Sequence, residues 1–193
     1  MRKLFKTLAL VLGMAGFAGA AMAQIGPVMV ITVDGQAQGE IRIQLRPDLA
    51  PLHVARITEL ANSGAYDGVV FHRVIAGFMA QTGDVKFGRA ETFSDGRAGM
   101  GGSDMNDLPA EFSDIAFERG IVGMARSTDP DSANSQFFIM FAPSPNLNGQ
   151  YTVIGKVISG MEIVDVIKLG EGGNGAVTDT PDQMLRVVVE PGA

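Results

Sequence analysis

Short β-type runs divide this chain, and their spacing constrains its fold more than any other feature. Apolar and β-branched residues gather over 28–33, 40–45, 69–75, 78–81, 121–125, 136–141, 151–157 and 185–189, separated by loops rich in Gly, Asp and Pro. Glu40-Ile41-Arg42-Ile43-Gln44-Leu45 alternates cleanly after the apolar run that starts at Val28, with Asp34-Gly35 between them. That pattern predicts a hairpin whose connection is longer than two residues. Only two segments change to a helical period. Val54, Ile57, Leu60 and Ala61 share one face over 51–63, with Pro51 suited to a first turn and Gly64 to the stop. Met161, Val164 and Ile167 lie three apart over 161–169. Eight strands, two helices and one apolar core predict a mainly β chain: a closed eight-stranded antiparallel β-barrel capped by two α-helices.

The first 23 residues stand outside that pattern. Arg2, Lys3 and Lys6 precede an uncharged apolar run from Leu8 to Ala23, and Ala21-Met22-Ala23 carries small residues where signal peptidase reads them. A retained anchor fits less well, because the run is short for a span of about 20 residues and lacks a polar stop-transfer flank. Residues 1–23 are therefore expected to be a signal peptide, 24–193 one domain, and the location periplasmic or secreted. Without those three basic residues the chain has 12 Lys+Arg against 21 Asp+Glu, a net charge of −9. Such a chain, with no basic cluster, is not expected to bind nucleic acid or, once the signal is removed, a membrane. The absence of cysteine excludes a disulfide framework and a thiol nucleophile.

Several motifs match by letter alone. Gly170-Glu171-Gly172-Gly173-Asn174-Gly175 fits the dinucleotide pattern but follows a helix and opens none. Gly99-Met100-Gly101-Gly102-Ser103 lacks the Lys-Ser/Thr of a phosphate loop. Asp129-Pro130-Asp131 begins like a calcium loop, yet Ala133 and Asn134 occupy positions for a ligand and the turn glycine. With only His53 and His72, no H-x-x-x-H pair exists, and no G-x-S-x-G occurs, so neither zinc nor serine-triad chemistry is expected.

Residues 71–84, FHRVIAGFMAQTGD, place Arg73 and His72 among Phe, Met, Val and Ile. A lone strand arginine ordinarily faces water or a carboxylate with its stem packed on apolar neighbours. Phe78 and Met79 alone would read as core. The set, however, resembles the cyclophilin-type peptidyl-prolyl isomerases: FHRVIAGFMAQTGD, GIVGMA (120–125), NSQFFI (134–139) and LNGQYTVIGKV (147–157) follow in the family's order over about 28–190. GRAGMGGSD before AEF (110–112) is similar to the family's glycine-rich loop.

The resemblance implies a cyclophilin-like barrel that isomerises X-Pro bonds in unfolded or flexible polypeptides, without metal or other cofactor. It implies Arg73 as the catalytic residue and Phe78, Met79, Phe138 and Leu147 as walls for the proline ring. Gln81 and Gln136 would contact the peptide, Ala125 and Arg126 would pair with its backbone, and Tyr151 would sit at the rim. His72 falls at a motif histidine near the site. Ala76 replaces a usual proline, and Arg126 stands where asparagine is common, a position where tolerance is expected. Asn146 replaces a tryptophan that helps hold cyclosporin, so weak cyclosporin binding is expected, as is a monomer. Two alternatives remain at this level: a non-catalytic proline-segment binding module or holdase, and a ligand-carrying lipocalin-type barrel.

Overall fold

The expected hairpin forms between β1 (Val28–Asp34) and β2 (Gly39–Leu45), paired antiparallel from Val28 opposite Gln44 to Val33 opposite Gly39. This is a computed structural model, and it describes residues 26–192; the predicted signal segment 1–23 lies outside the described residues. The remaining strands are β3 (Val69–Val70), β4 (Arg73–Ile75), β5 (Met79–Thr82), β6 (Ile121–Met124), β7 (Phe137–Met140), β8 (Val153–Ser159) and β9 (Gln183–Glu190). They lie in one sheet in the order β3-β9-β1-β2-β8-β6-β7-β5-β4.

The single strand expected over 69–75 divides at Phe71 and His72. Their backbone groups bond to loops instead of strands: Phe71 N–H donates to Asp182 O at 2.9 Å, and His72 O accepts from Val177 N–H at 3.0 Å. β3 pairs with β9 while β4 pairs with β5, so one short chain segment supplies both edges of the curled sheet. The expected closed eight-stranded barrel is thus a strongly curled nine-stranded antiparallel sheet, whose edge strands β3 and β4 are joined through residues 71–72 without pairing with each other. Register shifts on the β1–β9, β2–β8 and β6–β8 ladders add the local twist that curling requires.

Met29, Ile31, Ile41, Ile43, Phe137, Ile139 and Ile154 fill the barrel. A second apolar cluster of Met79, Phe117, Ile121, Phe138, Met140, Leu147 and Val153 lies apart from it. Pleating separates the two, because successive strand residues point to opposite faces. On β7, Phe137 and Ile139 belong to the barrel core, and Phe138 and Met140 to the second cluster.

α1 (Pro51–Asn62) buries Val54, Ile57, Leu60 and Ala61, the expected face, together with His53 and Arg56. It ends with Gly64 N–H on Ala61 O and Ala65 N–H on Leu60 O, the paired bonds of a Schellman stop, with Gly64 at φ 73°. Its start has no local side-chain cap. Glu111 arrives from a distant loop instead and accepts from Leu52 N–H at 3.2 Å and His53 N–H at 3.1 Å. The second helix is shorter than expected: α2 spans only Met161–Val164. Val166 and Ile167 tighten to bonds three residues back, and Asp182 Oδ2 then takes Lys168 N–H at 2.6 Å, drawing the chain out of the helix. Among the described residues no helix is long and apolar enough to cross a membrane.

Candidate active site

Four strands set the site by their register. Arg73 lies opposite Gln81, Gln81 opposite Phe138, and Phe138 opposite Gly123, so one row crosses β4, β5, β7 and β6. The next row runs Ile75, Met79, Met140. Both rows share the face that carries the second apolar cluster, which therefore becomes the floor of a surface pocket. Gly123 ends the first row for a spatial reason: a Cβ there would lie 2.6 Å from Phe138 Cζ and 2.7 Å from Phe117 Cε1. Phe117 and Phe138 stack at 5.8 Å between ring centroids, and Tyr151 meets Phe138 edge-on at 5.8 Å.

Arg73 is held at two points. Its Nε–H donates to the Asn174 carbonyl at 2.8 Å and Nη1 to Gln81 Oε1 at 3.1 Å. Gln81 Nε2 donates in turn to Gln136 Oε1 at 2.9 Å, and Gln136 Nε2 to the carbonyls of Gly99 at 3.0 Å and Gly101 at 2.7 Å. The N–H groups of those same glycines donate to buried Asp84 Oδ2 at 2.8 and 2.9 Å. A hydrogen-bonded line thus joins the guanidinium to the glycine-rich loop. Burial lowers the Arg73 pKa from its usual value while Tyr151 acts against the shift, and an arginine so placed keeps its charge at neutral pH.

A cavity of about 180 Å³ opens beside this guanidinium, lined by Arg73, Phe78, Met79, Gln81, Ala125, Arg126, Phe138, Leu147 and Tyr151. Nine of the eleven residues singled out in the sequence meet there. Gln136 instead lines an adjoining, more polar cavity of about 500 Å³, which shares Gln81, Ala125 and Arg126 with the first. His72 lines neither. It sits in the break between β3 and β4 and is buried, and burial pushes its pKa down to about 4. Its ring packs behind the site, against Gly99 of the glycine loop.

The sequence profile described as Cyclophilin type peptidyl-prolyl cis-trans isomerase/CLD matches residues 28–189. The chain belongs to this cyclophilin family. A probable peptidyl-prolyl cis-trans isomerase of Brucella suis is 62% identical over 154 residues, covering 79% of this chain and 78% of the relative. Peptidyl-prolyl cis-trans isomerase B of Bacillus subtilis is 39% identical over 133 residues, covering 68% of this chain and 85% of the relative. A Cryptosporidium parvum cyclophilin solved in the presence of the dipeptide Ala-Pro superposes with a TM-score of 0.70 at 25% identity, over 84% of this chain and 98% of that one.

In this cyclophilin the Arg126 side chain does more than the expected tolerance suggests. Its guanidinium carbon lies 4.4 Å from the Tyr151 ring centroid, and its donors reach the Gln150, Ser127 and Thr128 carbonyls. Arg126 lines both cavities, and Tyr151 the smaller one. Sequence reasoning missed the second cavity's Lys86, Phe87, Met105 and Asn134, and it missed the carbonyl of Asn174 entirely. No local pattern marks a backbone oxygen 101 residues away from the arginine it meets. Among the described residues no group of three or more His, Cys, Asp or Glu could hold a metal.

Proposed function

We propose that this cyclophilin accelerates rotation about X-Pro bonds in unfolded or flexible polypeptides through Arg73, outside the cytoplasm. One observation carries the reading: a charged, two-point-anchored guanidinium on the wall of an apolar basin formed by Phe78, Met79, Phe138, Leu147 and Tyr151. A site for binding alone would gain little from a permanent charge at the edge of such a basin.

The chemistry requires neither nucleophile nor proton shuttle, since no bond breaks. Rotation costs about 18–20 kcal/mol because amide resonance must be lost. The twisted state localises a lone pair on the prolyl nitrogen, and a hydrogen bond donated there favours the twisted form over the planar one. Shortening a rotation from about 100 s to about 1 ms is five decades, or about 7 kcal/mol. One charge-assisted hydrogen bond supplies roughly 1.5–3 kcal/mol. Holding one flank while the other turns, in a dry pocket that disfavours the charge-separated planar amide, must supply the rest.

The proline ring would occupy the basin and a neighbouring residue the larger cavity. Gln136 O takes the Ala125 N–H at 2.9 Å, so backbone pairing with a peptide would use the Ala125 carbonyl and the Arg126 N–H. The basic start, apolar run and Ala21-Met22-Ala23 support export by a cleaved signal, to the periplasm or beyond the cell. The protein would act as a monomer without a cofactor. Asn146 in place of an indole supports weak cyclosporin binding; a dissociation constant on the order of 10⁻⁹ M would refute that point.

NMR exchange of a short X-Pro peptide with residues 24–193 tests the enzyme reading, with Arg73→Ala alongside and circular dichroism to confirm that both fold. Accelerated exchange that the variant loses is the expected result. Peptide binding by the wild type without faster exchange would leave only a proline-segment binding module.

A further inference from the structure

We propose that residues 170–176 form a positioning strap for Arg73, with Gly175 as the residue that lets the strap close. This rests on the isomerase reading of Arg73 above. The Gly-Glu-Gly-Gly-Asn-Gly run matched the dinucleotide pattern by letter alone, but its two ends grip one residue of β4. Gly170 N–H donates to Val74 O at 2.9 Å, and Val74 N–H donates to Gly175 O at 2.8 Å. Glu171 N–H closes the loop on Ala176 O at 2.8 Å, and Asn174 Oδ1 braces the turn by accepting from Ala176 N–H at 3.2 Å. β4 has a strand partner on one side only, and the strap runs along its other side, bridging Arg73 to Ala176. The Asn174 carbonyl is thereby fixed beside Arg73 Nε.

The geometry suits a guanidinium specifically. With Nε–H on Asn174 O and Nη1 on Gln81 Oε1, the plane of the fork is set, and Nη2 has no protein partner among the described residues. Those free N–H groups are the ones left for a peptide. Ordering of a long side chain then happens on folding, not on binding, which is how preorganisation favours the reacting complex. Glu171, Gly172, Gly173 and Asn174 are all exposed, so the tip of the strap contributes nothing to the core. Gly175, by contrast, is buried at φ 68°, and a Cβ there would overlap Ile75 Cγ1 and lie 2.9 Å from Val74 O. Gly173 faces open space without a positive φ and serves as the neutral comparison.

The test uses NMR on the 24–193 protein with an X-Pro peptide. In the wild type the Arg73 Nε–H proton should exchange slowly with water, a signature that needs neither a variant nor catalysis. Gly175→Ala should speed that exchange and cut the isomerisation rate of bound peptide by about 10- to 100-fold. Peptide affinity should stay within about twofold, and Gly173→Ala should match wild type. Asn174→Gly, which removes the brace without a clash, should lower the rate in the same direction and covers the case in which Gly175→Ala does not fold. In an Arg73→Ala background neither substitution should reduce the rate further. An unprotected Nε–H in the wild type, or an equal loss of rate with and without Arg73, would overturn the strap. A wild type that accelerates nothing yet protects Nε–H would overturn the isomerase reading and leave the contact standing.

Discussion

Lowering the pH from 7 to 4.5 should destabilise this fold through one buried ring, His72. The residue is 5% exposed, and neither ring nitrogen has a hydrogen-bond partner among the described residues. Burial is the main reason its pKa falls from 6.5 to about 4; the Asp84 carboxylate opposes the shift, and the Arg73 charge adds to it. Below pH 6.5 the unfolded chain takes up a proton that the folded ring refuses. The stability contributed by a neutral His72 is therefore complete above that pH and is lost as pH falls toward 4. At about 1.4 kcal/mol per unit, the limit is about 3.5 kcal/mol, with about 2.5 kcal/mol gone by pH 4.5. Urea unfolding of wild type and His72→Gln at both pH values isolates the effect, because titrating carboxylates are common to both. Wild type should lose about 2.5 kcal/mol more than the variant. Parallel losses in the two proteins would refute the reasoning.

Gly123→Ala would press a methyl against Phe138 and Phe117; overpacking should cost about 1–3 kcal/mol in urea and slow X-Pro exchange by tilting the Phe138 wall. Unchanged exchange would remove Phe138 from the pocket's working surface. Gln81→Ala cuts the line from Arg73 to Gln136, and peptide exchange should fall about tenfold or more, measured with circular dichroism to confirm the fold. Glu111→Ala strips the tertiary cap from α1 and the 2.6 Å partner from His53 Nδ1. A loss of about 1–2 kcal/mol is expected in urea, with exchange per folded molecule unchanged.

Much of this molecule could be read from period and order. Alternation over 40–45 and the three- and four-residue spacing from Val54 to Ala61 gave β2 and the buried face of α1, because one side of each element meets solvent and leaves its mark on the sequence. The signature blocks brought Arg73 together with Phe78, Met79, Gln81, Ala125, Arg126, Phe138, Leu147 and Tyr151, and the structure gathers those nine around one cavity. His72 stands apart from them: it belongs to the same motif, but the break between β3 and β4 leaves it buried and outside the lining of both cavities. The second helix marks a limit of period reading, since Met161, Val164 and Ile167 carry a helical spacing that Asp182 interrupts from outside.

Strand and helix periods, the family and the chemical types at the pocket are written in neighbouring residues, so they can be read along the chain. Packing in three dimensions set which face of β5 and β7 is barrel and which is pocket: both are buried, so Met79 and Ala80, or Phe137 and Phe138, look alike along the chain. It also decided that 69–75 would split between the two edge strands, that Glu111 would cap α1, and that Asn174 would hold Arg73. Those outcomes depend on contacts between segments distant in sequence, where the partner is set by how the sheet curls and not by any local preference.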